Sequence, residues 1–304
     1  MLRTPTTEYF NVQKNGLSPF QSMLAYMGGS TLQTIVDNPL TAYRQMVQQY
    51  ATNVEGALVS PVVATREARS VFWRMPIQAS LSGLGPRLVG VGFKRVPKFT
   101  ILFGISYLLE TGEDIGLLAA TGASILSAPC INPIRYIEKQ QRAYFRSPRA
   151  ARSVMDILRE SAAQNYRPLF RGTIPLMGHS FASASTGLVG QPRLQKYIAG
   201  KLDSQTTFGQ TATGLLASAM VSPIYVLMTN PVSRLEVIMQ TASPNKAPIS
   251  VRTAIGELLQ DTKQNGVRGL FRGQGLGTLK AIVSLTLFHQ GRLVLTDWFT
   301  QSNR

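Results

Sequence analysis

A few charged or titratable side chains stand inside long stretches that are otherwise almost free of charge, and these are the residues whose placement could do chemistry. Lys280 lies in the run from Gly273 to Trp298, which also carries Arg292, and Asp37 lies in the run from Leu17 to Tyr43. His179 is the one titratable group between Thr173 and Gln191. Gly90, Lys94 and Lys98 are spaced four apart, so on a helix they line one stripe. A charge inside an apolar segment is costly unless it faces a water-filled cavity, so these positions mark a place to hold a charged solute. Lys280 sits close to mid-segment, with no route to an interface. Lys94 and Lys98 lie toward the outer half of theirs, where snorkelling to a headgroup is the competing reading. His179 has two readings, a group that senses or moves protons and a neutral ring bonded to a hydroxyl such as Ser183. His289 reads as a packing residue.

Enzymatic chemistry is poorly served. Two His, one Cys and no paired carboxylates leave no triad, metal cluster or Gly-rich phosphate loop, so neither an enzyme nor a bound cofactor or metal is expected. Cys130, alone, excludes an intramolecular disulfide and any multi-thiolate metal site.

The elements that must position these residues follow from how charge is distributed. No charge occurs from Ile115 to Ile134 or from Thr206 to Ser233, so each run reaches the roughly 20 residues needed to cross a bilayer. With Thr173 to Gln191 and three runs that carry charge (17–43, 81–109 and 273–298), six spans are predicted. They come in repeating pairs. Gln164-Asn-Tyr-Arg-Pro-Leu-Phe-Arg-Gly172 is written again from Gln264 to Gly273, and Asn-Pro recurs at Asn38-Pro39, Asn132-Pro133 and Asn230-Pro231. A period of about 95 residues makes three units: 17–110, 111–203 and 204–304, after a polar N-terminal extension, 1–16. Each unit predicts a first helix interrupted by its Pro, which kinks it, and a short surface helix (64–73, 152–163, 251–262) lying in the interface. The first helix is predicted from Pro19 to Gln48, with Gly28-Gly29 permitting close approach of a neighbour. The fold class is an all-α membrane protein.

The 31 basic residues outnumber the 15 acidic ones. A nucleic-acid partner would call for a basic stripe with interleaved aromatics. Instead four, nine and six of the basic residues fall in the three segments after the odd-numbered spans, 44–74, 135–171 and 234–272. That is the positive-inside pattern, and it puts both termini on the opposite face. Residues 1–16 lack the apolar core of a cleavable signal peptide.

This arrangement resembles the mitochondrial carrier family, threefold repeats of two spanning helices and a surface helix that form a six-helix barrel. The likeness covers roughly 17–300. The family ends its odd helices in Pro-x-[Asp/Glu]-x-x-[Lys/Arg] with a Gln four residues on. Here the copies read Pro39-Leu-Thr41-Ala-Tyr-Arg44 with Gln48, Pro133-Ile-Arg135-Tyr-Ile-Glu138 with Arg142, and Pro231-Val-Ser233-Arg-Leu-Glu236 with Gln240. The aromatic-basic-Gly motif that opens the even helices is intact at Phe170-Arg171-Gly172 and Phe271-Arg272-Gly273 and reduced to Leu81-Ser82-Gly83 in the first unit. The family's pairing rule would join Thr41 with Glu138, Arg135 with Glu236, and Ser233 with Arg44, leaving one ionic gate pair of reversed polarity. The gate on the opposite side has no matching network.

The resemblance implies a substrate site at Gly90, His179 and Lys280, with Gly178 and Ser180 beside the second. The stretch 83–99 is similar to that of carboxylate carriers, which place basic residues at the Lys94 and Lys98 positions. Three ammonium groups converging on a wet cavity would attract an anion. The implied function is transport, by exchange, of a small anionic metabolite across the mitochondrial inner membrane, a carboxylate first, by a monomer among anionic headgroups such as cardiolipin. A nucleotide or other phosphorylated solute would be served by the same lysines. The weakened gates also fit a scaffold that kept the fold without transport, or a carrier mimic made by a pathogen.

Overall fold

The computed structural model describes residues 19–50, 59–92, 122–123, 125–143, 153–184, 186, 190–201, 207–241 and 249–302, and among these the regular structure is helical throughout. The first unit holds α1 (Pro19–Gln49), α2 (Pro61–Arg74) and α3 (Pro76–Leu81), then a helical stretch at 84–92. The second holds α4 (Ala128–Ala143), α5 (Val154–Ala162), a 3-10 turn (Arg167–Phe170), α6 (Thr173–Ala184) and α7 (Gln191–Ala199). The third holds α8 (Thr207–Thr241), α9 (Val251–Asn265), α10 (Val267–Leu270) and α11 (Gln274–Ser302). Pro39, Pro133 and Pro231 all lie inside helices, where the sequence predicts a bend. Within the run predicted as one span from Thr173 to Gln191, residues 173–184, 186 and 190–191 are described, and all of them are helical.

The three surface helices share one construction. Ser60, Ser153 and Ser250 are their N-caps, each accepting the N–H of the residue three on, Val63, Asp156 and Thr253. A serine cap satisfies one of the orphan donors of the first turn. Residues four and eight after the cap are buried in every copy: Ala64 and Ala68, Ile157 and Ser161, Ala254 and Leu258. The first surface helix starts earlier than the sequence predicts because Ser60-Pro61 is itself a cap and first turn.

The long segments meet neighbour to neighbour. Arg87 and Gly90, in the stretch 84–92, touch α1 and α4 through Asp37 and Ile134. Then α4 meets α6, α6 meets α8, α8 meets α11, and α11 returns to α1. This last contact is close because both faces lack side chains: a Cβ on Gly291 would lie 3.0 Å from the Gly29 backbone, and one on Gly28 would overlap Leu295. The predicted use of Gly28-Gly29 is therefore met, with the last helix as the partner.

The sides of these helices are inverted relative to a domain packed in water. On α1, Ser30, Thr34, Asp37, Thr41, Arg44 and Gln48 are buried at alternating spacings of four and three, while Leu32, Ile35 and Val36 are exposed. On α8, Ser218, Ser222, Thr229, Glu236 and Gln240 are buried, while Leu215, Leu216, Met220, Ile224, Leu227 and Met228 face outward. Polar residues thus take the stripe that a soluble helix gives to its apolar face. By length and composition, one helical segment among the described residues qualifies as a membrane span, Ala212–Thr241.

Candidate functional site

One end of the helix ring is tied by the three asparagines that precede the prolines. Asn38 donates to the carbonyls of Ser80 and Ser82, Asn132 to those of Leu169 and Arg171 (2.9 and 3.0 Å), and Asn230 to those of Leu270 and Arg272 (3.2 and 3.3 Å). In each unit these carbonyls lie three residues and one residue before a glycine at positive φ: Gly83 (67°), Gly172 (80°) and Gly273 (71°). Such a turn suits glycine, which has no Cβ to clash. The reduced motif of the first unit keeps this turn without its aromatic and basic residues.

The other end of each amide links the units in a cycle. Asn38 Oδ1 accepts from Arg142 (2.7 Å) in the second unit, Asn132 Oδ1 from Gln240 (2.8 Å) in the third, and Asn230 Oδ1 from Gln48 (3.3 Å) and Arg44 (2.7 Å) in the first. Arg142, Gln240 and Gln48 are the residues four after the last position of the Pro motif. Arg142 also donates to Gln45 (2.6 Å) and the carbonyl of Ser82 (3.1 Å).

Above this ring lies a polar cavity of about 170 Å³ lined from all three units. It holds nine of the residues singled out from sequence: Gly90, His179 and Lys280 of the expected substrate site, and Thr41, Arg44, Arg135, Glu138, Ser233 and Glu236 of the expected gate. Gly178 and Ser180 are not among its lining residues; Gly178 packs on Val232. Lys94 and Lys98 lie outside the described residues, as do 1–16 and the turn at 110–114. Five cations (Arg44, Arg87, Arg135, Lys139, Lys280) and three carboxylates (Asp37, Glu138, Glu236) line the cavity. Arg87 is paired with Asp37 (2.8 Å) and lies 3.6 Å from Glu138; Lys139 is paired with Glu236 (2.7 Å). Among the described residues no carboxylate is within ion-pair distance of Arg44, Arg135 or Lys280, so the cavity carries a cationic excess.

The pairings differ from those the motif implies. Glu236 is met by Lys139, one turn beyond Arg135 on the same face of α4. Glu138 is met by Arg142 (2.5 Å) and Arg87 rather than Thr41, whose hydroxyl donates to the Asp37 carbonyl. Arg44 turns to Asn230 rather than Ser233. Lys139 lies one helical turn from Arg135, Arg142 one turn from Glu138 itself, and Asn230, which accepts from Arg44, one turn before Ser233. His179 Nε2 lies 3.3 Å from Tyr225 Oη, across from the third unit; Ser183, the hydroxyl suggested by sequence, lines the same cavity.

Asp37, Arg87, Lys139 and Tyr225 are among the lining residues that had no place in the predicted site, as are the uncharged Ser30, Gln33, Thr34 and Gln45. Asp37 was visible as a charge in an apolar run. Arg87 is four residues after Gly83 and three before Gly90, one turn from a position that was chosen. Asp37 is fully buried and also accepts from Ser284 at 2.5 Å, so a carboxylate of α1 ties the stretch 84–92 to α11. No protein-family model matches the chain, and no curated protein matches it.

Proposed function

We propose that this chain is a membrane carrier that moves a small anionic metabolite, a carboxylate first, by alternating access around the central cavity. The observation that carries this reading is the set of three cations, Arg44, Arg135 and Lys280, left without carboxylate partners in a polar cavity to which all three units contribute. Unpaired cations in such a place are costly, and an anionic ligand is the simplest compensation. The outward apolar faces of α1 and α8 support a lipid surround, and the cyclic ties support a barrel of three pseudo-equivalent units that rock about one site. Six spans, exchange, a monomer and a place in the mitochondrial inner membrane among anionic lipids belong to the same proposal. A cavity of about 170 Å³ is below the roughly 300–1,000 Å³ of pockets for drug-sized ligands, which suits a small metabolite better than a nucleotide.

The test is thermal unfolding of the purified protein against carboxylates, nucleotides and inorganic phosphate, followed by uptake into liposomes with whichever anion stabilises it. A carboxylate should raise the unfolding temperature and be taken up, and Lys280→Ala should abolish uptake while leaving a folded protein. Stabilisation by nucleotides alone would change the substrate class. No stabilisation and no uptake with any anion would leave a scaffold that does not transport. Full uptake by Lys280→Ala would move the site.

A further inference from the structure

Beside the central cavity is a second, smaller one of about 90 Å³, and the two share Gln33, Arg44, Ser183, Tyr225 and Lys280. Thr186, Gly277 and Ser284 belong to the smaller lobe alone. Two features mark it as built for a ligand. Arg44 is more than nine-tenths buried, and its Nε has no hydrogen-bond partner. That nitrogen faces Gly277: a Cβ there would come within 3.2 Å of it, so the absence of a side chain keeps the space in front of the guanidinium open. The second feature is the state of the hydroxyls. Thr186 donates to the Ala182 carbonyl (2.7 Å) and Ser284 to Asp37 (2.5 Å), so each has spent its hydrogen and presents an oxygen that accepts. The lobe therefore offers donors at its mouth, from Arg44 and Lys280, and acceptors deeper in. Ala281 and Leu285 add an apolar wall.

We propose that this lobe is a specificity subsite for a hydroxylated carboxylate: the carboxylate is held at the mouth by Arg44 and Lys280, and an adjacent hydroxyl enters the lobe and donates to Thr186 or Ser284. The lobe, about half the volume of the central cavity, suits a small substituent such as a hydroxyl-bearing carbon. A substrate lacking the hydroxyl leaves those buried oxygens facing an empty or wet lobe, and a group that needs a donor finds no free hydrogen on Thr186 or Ser284. The proposal rests on the anion-carrier reading.

The experiment compares succinate with malate, which differ by one hydroxyl, by thermal stabilisation of the whole protein and by competition for uptake in liposomes. Malate should half-saturate at a concentration up to about tenfold lower, the range of one neutral hydrogen bond. Thr186→Val, which removes the hydroxyl at nearly constant shape, should bring the malate-to-succinate ratio toward one. Gly277→Ala, whose methyl takes up space in the lobe, should weaken malate more than succinate. If wild type binds both anions with equal strength, or if the ratio is unchanged in both variants, the lobe is not a subsite, although the carrier reading stands. If neither these nor any other anion binds, the carrier reading has failed and the subsite falls with it.

Discussion

Lys139 and Glu236 bind two units of the ring through side chains that are each 2% exposed and 2.7 Å apart. At that burial, removing one partner strands a charge, which costs about 3–5 kcal/mol, whereas removing both costs far less. Lys139→Met and Glu236→Gln should therefore each lower the unfolding temperature of the detergent-solubilised protein sharply, and the double variant should recover much of the loss. Simple additivity of the two losses would mean the residues do not meet. Arg135→Gln, at the position first expected to pair with Glu236, should cost less stability because no ion pair is broken. Glu236 was legible from its place in the Pro motif. Its partner was not, because positions two and six after Pro133 lie on one helix face and sequence spacing cannot choose between them.

At the scale of the element, the three surface helices are seated on their long helices by different chemistry at equivalent positions. The residue three after each proline is Ala42, Tyr136 or Arg234. Ala42 is fully buried near an apolar cluster of Met46, Val47, Ala68 and Ala79, and Tyr136 packs with Ile137, Ile157 and Leu169. Arg234 instead pairs with Asp261 of α9 at 2.7 Å, and Asp261 also accepts from Arg272 (2.7 Å) and Asn265 (2.8 Å). Burial alone would raise the Asp261 carboxyl, but the hydrogen bonds from Arg272 and Asn265 and the charges of Arg234 and Arg272 outweigh it and hold the carboxyl below its ordinary value. A depressed carboxylate stabilises the fold above its unfolded value, about 3.9, and that contribution is lost as pH falls through the lower folded value. Asp261→Asn should thus destabilise by about 3–5 kcal/mol at neutral pH by leaving two arginines unpaired, and its unfolding temperature should fall less steeply than wild type below about pH 4. Identical acid limbs in the two proteins would sink this account. The surface helices were legible from apolar spacing. What fastens them was not, since a tyrosine and an arginine at equivalent positions look unrelated until the structure shows each meeting its unit's surface helix, at Ile157 and Asp261.

For the whole molecule, the threefold plan was legible because each unit needs the same turn, and Asn-Pro with a following glycine is its trace in sequence. The cyclic closure was not, because a glutamine in one unit and an asparagine in another are about a hundred or more residues apart and only the ring brings them together. The plan leads to a prediction about sidedness. Helices α1, α8 and α11 have 31, 35 and 29 residues, hence lengths of about 46, 52 and 43 Å, each more than the roughly 30 Å of a hydrocarbon core. Gly200 and Lys201 lie just before the start of α8, while α9 follows its end, so the two are on opposite sides of any layer that α8 crosses. By the same count Ser302, at the end of α11, shares a side with Lys201, and the serine-capped helices α2, α5 and α9 share the other. Exposed Cys130 would react with a labelling reagent and must first be replaced. In that background, Met155→Cys on α5 and Lys263→Cys on α9 should label from one side of sealed vesicles, and Lys201→Cys and Ser302→Cys from the other. The asymmetry of Lys and Arg assigns the surface helices to the face where positive charge is retained. If positions 201 and 263 label from the same side, α8 does not cross the bilayer, and the apolar outer faces must be covered by something other than lipid.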